Sequence, residues 1–337
     1  MIVNLLDDGR MAPHRPHPAR THVPALVALA CAGTMTLAGC SAADGAEPAA
    51  AGGGGITVVA SFYPLEWLSR QVAGDLATVS GLTPPGAEPH EYELTPADVA
   101  AVSEADVVVY LDTLQPAVDA AVEQQAGDRA FDAGSSADLD LVFAAGEDLE
   151  DGDGEHAEDG ADGSVTDPHF WHDPMRMAAV GDALAERLGR ADAAHAATYT
   201  ANAAALRTQL EELDGEFRTG LATCASRDVV TSHSAFGYLA EAFGLQQVGI
   251  SGLAPDEEPA PSALTDATAF VRAHGVSTIY FETLVSPAVA ETVARETGAQ
   301  TRQLDPIEGL TDASQGDDYL ELMRSNLASL EAGQQCS

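Results

Sequence analysis

Short β-rich runs alternate with helical segments along most of this chain, and that alternation narrows the fold more than any other feature. The first run reads ITVVASFYP, where Pro64 opens a helical pattern that continues to about Ala73. TPADVAAVSE follows, with a Thr cap and an acidic first turn, and leads into the strand candidate ADVVVYL at 105–111. After Arg227 the rhythm returns as DVVTS, AFGYLAEAFG, QQVGI, a Pro-rich connection and a helix to about His274. VSTIYFE, SPAVAETVARETG, TRQLD and the closing helix DDYLELMRSNLASLEAG complete it. Between the two stretches, residues 175–226 are Ala-rich, and DAAHAATYTANAAALRTQLEELDGEF reads as one long helix. Its Tyr199, Leu206, Leu210, Leu213 and Phe217 fall at helical spacing and read as packing positions. The expected fold is α/β. Two lobes, 56–174 and 227–337, each carry a mostly parallel sheet flanked by helices. One long rigid helix joins them, and ligands are expected at the strand C-termini.

The first forty residues read as targeting rather than fold. Arg10, Arg15 and Arg20 make a basic start, and an apolar stretch from Val23 to Leu37 is short for a membrane span. It ends in Leu37-Ala38-Gly39-Cys40, which resembles a bacterial lipobox: a signal peptide 1–39, then a lipidated Cys40 as the first mature residue. Met11 is an alternative start, because residues 1–10 add acid where the segment should be basic. Residues 40–55 are Ala/Gly/Asp/Glu/Pro and read as a flexible tether. Of the four cysteines, Cys31 lies in the removed segment and Cys40 carries lipid. Cys224 and Cys336 remain, and an oxidising compartment favours one disulfide between them over two unpaired thiols.

Charge excludes one class of partner. The chain has 53 acidic and 15 basic residues, all of the latter arginine, for a net charge of -38. Nucleic acid needs a basic face, so it is not expected. Much of the acid gathers in GEDLEDGDGEHAEDGADG, which defines an expected acidic loop, 146–167, with His156 as its single histidine.

Three histidines in separate loop-like stretches carry the chemistry: His90 in PGAEPHEYELTP, His169 in DPHFWHDP and His233 in TSHSAFGYLAEAFG. Imidazoles that converge from distant segments suit a borderline metal such as zinc. His172 lies three residues from His169, so it either shares the metal or packs against Trp171. His195 reads as an exposed helix start and His274 as a helix C-terminal residue. No HExxH and no nucleophile motif is present.

From about residue 56 to the end, these stretches, together with SFYPLEWL, YFETLVSPAVAETVARETG and LDPIEGL, make the chain resemble the zinc-binding solute receptors of bacterial metal ABC importers. The resemblance implies two α/β lobes joined by a rigid helix, with metal between them. It implies His90 and His169 as ligands from the first lobe and His233 from the second. Glu308 matches the family's fourth ligand, with Asp305 or water as alternatives, while Glu282 orients a ligand from behind. His172 stands where the family often has an apolar residue and is left out. Manganese relatives carry a carboxylate in place of His233, so Zn²⁺ is the expected ion, with manganese or another divalent metal as the alternative. The implied protein is a lipid-anchored, monomeric receptor on the outer face of the cell membrane, serving a permease and its ATPase. It is not an enzyme. The reading from another class is an extracytoplasmic zinc hydrolase, and an adhesin on the same scaffold is a third.

Overall fold

The structure, a computed structural model, describes residues 55–144, 164–255 and 259–337. The signal peptide, Met11, Cys40, the tether up to residue 54, and His156 lie outside the described residues.

The chain builds β1 (Ile56–Ala60), α1 (Tyr63–Ala73), β2 (Ala77–Gly81), α2 (Pro96–Glu104), β3 (Val107–Tyr110), α3 (Pro116–Gln125) and β4 (Ala130–Asp132). These strands form a parallel sheet ordered β2-β1-β3-β4. Then come α4 (Gly134–Ala137), β5 (Val142–Ala144), β6 (Ser164–Thr166), α5 (Pro174–Ala191) and α6 (Ala196–Gly220). The remainder is β7 (Asp228–Thr231), α7 (Gly237–Phe243), β8 (Gln246–Gly249), α8 (Pro261–His274), β9 (Thr278–Phe281), α9 (Ala288–Thr297), β10 (Gln300–Gln303) and α10 (Tyr319–Gly333). Its strands form a second parallel sheet ordered β10-β9-β7-β8. Numbered within its own half, each sheet has the order 2-1-3-4, so the two halves share one topology without a visible sequence repeat.

Local chemistry accounts for most boundaries. Thr95 and Asp98 make a reciprocal capping box at the start of α2. Asp173 caps α5 by accepting from the Met175 and Arg176 N–H groups, and Pro174 occupies the first turn. Gly244, Gly275 and Gly298 end α7, α8 and α9 in the left-handed conformation.

Three strands differ from the sequence reading. Ser164–Thr166, expected within the acidic loop 146–167, pairs antiparallel with β5. Thr and Val supply the β-propensity there, and Asp167 beyond them is buried rather than solvated. The edge strands β2 and β4 carry no long apolar run and so give no strand signal in the sequence.

A shared core runs between the halves. It takes Val58, Phe62, Leu65 and Leu68 from the first half, Leu206, Leu210, Leu213 and Phe217 from α6, and Tyr238, Leu304, Tyr319 and Leu322 from the second. The outer face of the first sheet is covered separately around Val102, Val108 and Val118, and that of the second around Val230, Val271 and Val293. α6 crosses this core: Asn202 Nδ2 donates to the Val72 carbonyl of α1 at 3.0 Å, and Phe217 stacks on Phe243 of α7 at 4.8 Å. Gly181 of α5 sits where a Cβ would lie 3.3 Å from Leu68, which lets α5 approach α1 and α6 closely. Cys224 and Cys336 are bonded to each other, tying the end of α10 to the segment after α6. Among the described residues no helix is long and apolar enough to cross a membrane.

Candidate metal centre

Four loops deliver one ligand atom each to a common point. His90 lies between β2 and α2, His169 between β6 and α5, His233 just after β7, and Glu308 after β10. His233, Glu282 and Glu308 leave the carboxyl ends of parallel strands, where open α/β sheets hold ligands. Parallel pairing of Thr231 with Tyr280 puts His233 and Glu282, each two residues further on, side by side.

One ligand atom from each of His90, His169, His233 and Glu308 lies within 4.8 Å of all the others. Glu308 Oε1 sits 3.6 Å from His90 Nε2, 3.3 Å from His169 Nε2 and 3.5 Å from His233 Nε2. None of these atoms makes a hydrogen bond, although all are buried. Four corners of a tetrahedron about 2.0–2.1 Å from a central zinc ion lie about 3.3–3.4 Å apart. The three edges from Glu308 Oε1 lie within about 0.3 Å of that figure, and orphaned buried nitrogens and oxygens are the donor set such an ion needs. His169, His233 and Glu308 are fully buried, whereas the His90 side chain keeps 10% exposure. His90 therefore marks the side on which the site meets solvent.

Behind the ligands stand groups that fix their orientation. His169 Nδ1 pairs with Asp167 Oδ1 at 2.7 Å, and the His169 N–H donates to the same oxygen at 2.9 Å. Tyr238 donates its hydroxyl to the Asp167 carbonyl at 3.0 Å. A Cβ at Gly237 would lie 2.5 Å from Asp167 Oδ2, so only glycine admits this approach of α7. The His233 N–H donates to Glu282 Oε1 at 3.1 Å. Its Nδ1 lies 2.7 Å from the same oxygen, an ion-pair contact angled away from a hydrogen bond. Glu88 Oε1 accepts from the His90 N–H at 2.9 Å. Trp171 bridges two ligand loops. Its Nε1 donates to the Pro306 carbonyl at 2.8 Å, its own carbonyl accepts from the Tyr319 hydroxyl at 2.6 Å, and its ring packs edge-on to His169.

Charge follows from this packing. Burial alone would depress the His233 imidazole, but the Glu282 and Glu308 carboxylates outweigh it and push the group up to about 10. Burial opposes the His169 cation too, and Asp167 with Glu308 raises it nonetheless. Glu308 is fully buried, which would raise its carboxyl, yet the three histidines hold it well below the carboxylate range. The Glu308 carboxylate therefore faces a protonated His233 imidazole at neutral pH.

The other candidates fall elsewhere. His172 is buried between Trp171 and Phe236, 4.6 Å from the latter's ring centroid, and is not among the four. Burial, with His169 and His233 nearby, depresses it to about 3, so it stays neutral. Asp305 is buried but uses Oδ1 to accept from the Ile307 N–H at 2.9 Å. His195 pairs with Asp192 and His274 with Asp228, each partly exposed and apart from the centre. Asp167, Glu88 and the bridging role of Trp171 do not stand out in the sequence. The signal available for the first was the Asp-Pro dipeptide, which recurs at Asp167, Asp173 and Asp305. Each of these aspartates accepts the N–H two residues on.

The model of a family described as zinc-uptake complex component A, periplasmic, matches residues 58–333. The chain belongs to this family. It is 35% identical over 284 residues to the zinc-binding lipoprotein AdcA of Streptococcus pneumoniae, covering 82% of this chain and 56% of that protein. The chain thus spans about half the length of this relative. It is 33% identical over 303 residues to the high-affinity zinc uptake system protein ZnuA of Bacillus subtilis, covering 88% and 93%. The laminin-binding protein Lmb of Streptococcus agalactiae superposes with a TM-score of 0.71 at 33% identity, covering 83% of this chain and all of that one. The Zn(II)-bound ZnuA-like domain of S. pneumoniae AdcA superposes with a TM-score of 0.67 at 33% identity, covering 83% and 99%.

Proposed function

We propose that this chain is an extracytoplasmic receptor that captures Zn²⁺ and delivers it to the permease of an ABC importer driven by an ATPase subunit. His90, His169, His233 and Glu308 are its ligands, with Asp167 and Glu282 orienting two of the imidazoles. The observation that carries this reading is the convergence of three Nε2 atoms at 3.3–3.6 Å from one buried carboxylate oxygen. Membership of the zinc-uptake family supports the zinc and the importer. The relatives described above are named as binding and uptake proteins, and no enzyme is among them. A four-ligand donor set also leaves no open position for the water that a zinc hydrolase needs. In this reading Cys40 carries the lipid that holds a monomeric receptor at the outer face of the membrane, and residues 40–55 tether it.

Elemental analysis of protein purified without added metal tests the ion, with one zinc per chain expected. Competition against a chromophoric chelator then tests the ligands. Native affinity in any two of His90→Ala, His169→Ala and His233→Ala would overturn the assignment.

A further inference from the structure

Glu308 follows a turn that is not relaxed. Ile307 has φ of +59°, the left-handed region, where a β-branched residue is a strained outlier. Its side chain is fully buried in the shared core, so the strain cannot be released by swinging outward. Something must hold the turn, and the surrounding polar groups show what does.

Asp305 Oδ1 accepts the Ile307 N–H at 2.9 Å, closing the turn across Pro306. Asn326 of α10, itself buried, grips the Asp305 backbone at both ends. Its Oδ1 accepts the Asp305 N–H at 2.8 Å and its Nδ2 donates to the Asp305 carbonyl at 2.7 Å. Trp171 Nε1 donates to the Pro306 carbonyl at 2.8 Å. Every backbone polar group from Asp305 N–H to Ile307 N–H is thereby engaged, Pro306 having no N–H to engage. The next residue, Glu308, enters the centre with both carboxylate oxygens free of hydrogen bonds. The Asp167-Pro168-His169 turn is built alike, with Oδ1 accepting the His169 N–H, and it too presents a ligand.

We propose that Asp305 is a positioning residue: with Asn326 it locks the strained Ile307 turn and so fixes the Glu308 carboxylate at the three histidines before the ion arrives. This rests on the reading of Glu308 as a ligand. It assigns Asp305 to the backbone of the loop and not to the metal. A carboxylate set in place beforehand loses no freedom on binding, so affinity should track the integrity of the clasp.

Zinc affinity is measured by chelator competition in Asp305→Asn, Asp305→Ala, Glu308→Gln and the double variant Asp305→Ala with Glu308→Gln. The amide oxygen of asparagine still accepts the Ile307 N–H, so Asp305→Asn should stay within about threefold of native. Asp305→Ala removes the acceptor and should weaken binding on the order of ten- to a hundredfold. In the Glu308→Gln background the same alanine should change affinity by less than about twofold, because its effect runs through Glu308. An Asp305→Asn loss as large as that of Asp305→Ala overturns the proposal, since the charge itself would then matter at the ion. So does an undiminished effect of Asp305→Ala in the Glu308→Gln background, the mark of a general structural role. Weak binding by Glu308→Gln with native binding by Asp305→Ala overturns this inference alone. Native binding by Glu308→Gln overturns the ligand reading and this inference with it. If Asp305→Ala does not fold, Asp305→Asn decides, and a tenfold loss counts against the proposal.

Discussion

If the proposed ligands hold zinc, the ion must displace protons from this centre, and the buried charges set how strongly. Zinc binds neutral imidazole, whereas the carboxylates of Glu282 and Glu308 raise the His233 group to about 10 when no metal is present. At pH 7 that lies about three units below the titration point, so clearing His233 costs on the order of 4 kcal/mol of the gross binding energy. At least one proton should leave per zinc bound. The sign follows directly. Zinc affinity should rise with pH across 6.5 to 9, by about one logarithmic unit per pH unit for each proton released. Metal-free stability should move the other way. The His233 proton stabilises the fold fully below about pH 6.5, its unfolded value, and that contribution is lost as pH rises toward 10. Titration calorimetry at pH 7 in buffers of different ionisation enthalpy counts the protons. A count of zero, with affinity flat from pH 6.5 to 8, would refute the reasoning. Glu282→Gln should lower the count at pH 8, because it removes the carboxylate that holds the imidazolium.

Further outcomes are open to measurement. His169→Ala, which removes a fully buried proposed ligand, should weaken zinc at least a hundredfold by chelator competition, and a loss below tenfold would count against its role. The non-reduced mass should be two hydrogens below that of the reduced chain. Replacing Cys224 and Cys336 by serine should lower unfolding free energy by about 4–5 kcal/mol in urea, given a closed loop of 112 residues, while an unchanged midpoint would contradict this. Gly237→Ala should weaken zinc by pushing on Asp167, and Asp167→Ala should mask that effect.

The strand and helix rhythm made the α/β class legible, because Val-rich runs and Gly-ended helices announce themselves locally. The common 2-1-3-4 order of the two sheets was not legible, since pairing is a long-range choice and β2 and β4 have too few apolar residues to signal themselves. His90, His169 and His233 stood out because loop histidines flanked by Pro, Ser and acids serve no packing purpose. The choice between Asp305 and Glu308 came from resemblance, and the residues alone left it open. Between them lies the Ile307 turn at φ +59°, across which Asp305 Oδ1 accepts the Ile307 N–H while Glu308 Oε1 meets the three histidines. Asp167 was hidden for a related reason. Three residues separate it from an acidic, Gly-rich run, and composition cannot distinguish its carboxylate from solvated neighbours until β6 brings it under Tyr238.

Geometry also bears on which ion is kept. Ligands at cis positions of an octahedron, about 2.1–2.2 Å from the metal, lie about 3.0–3.1 Å apart, and the shell needs two more donors. The three edges from Glu308 Oε1, 3.3–3.6 Å, are nearer those of a tetrahedron, and the clasp on Asp305 and the ion pair at His233 resist contraction. Mn²⁺ therefore meets a shell that is too wide, short of donors and rich in imidazole. Co²⁺, which accepts tetrahedral sites, reports on this directly. The cobalt-loaded protein should show the intense visible bands of a four-coordinate ion, and Mn²⁺ should fail to displace it at a hundredfold excess. Weak, octahedral-type bands would mean that the loops open to admit water. The tetrahedral preference read from the Glu308 edges would then be wrong, even with zinc as the cargo.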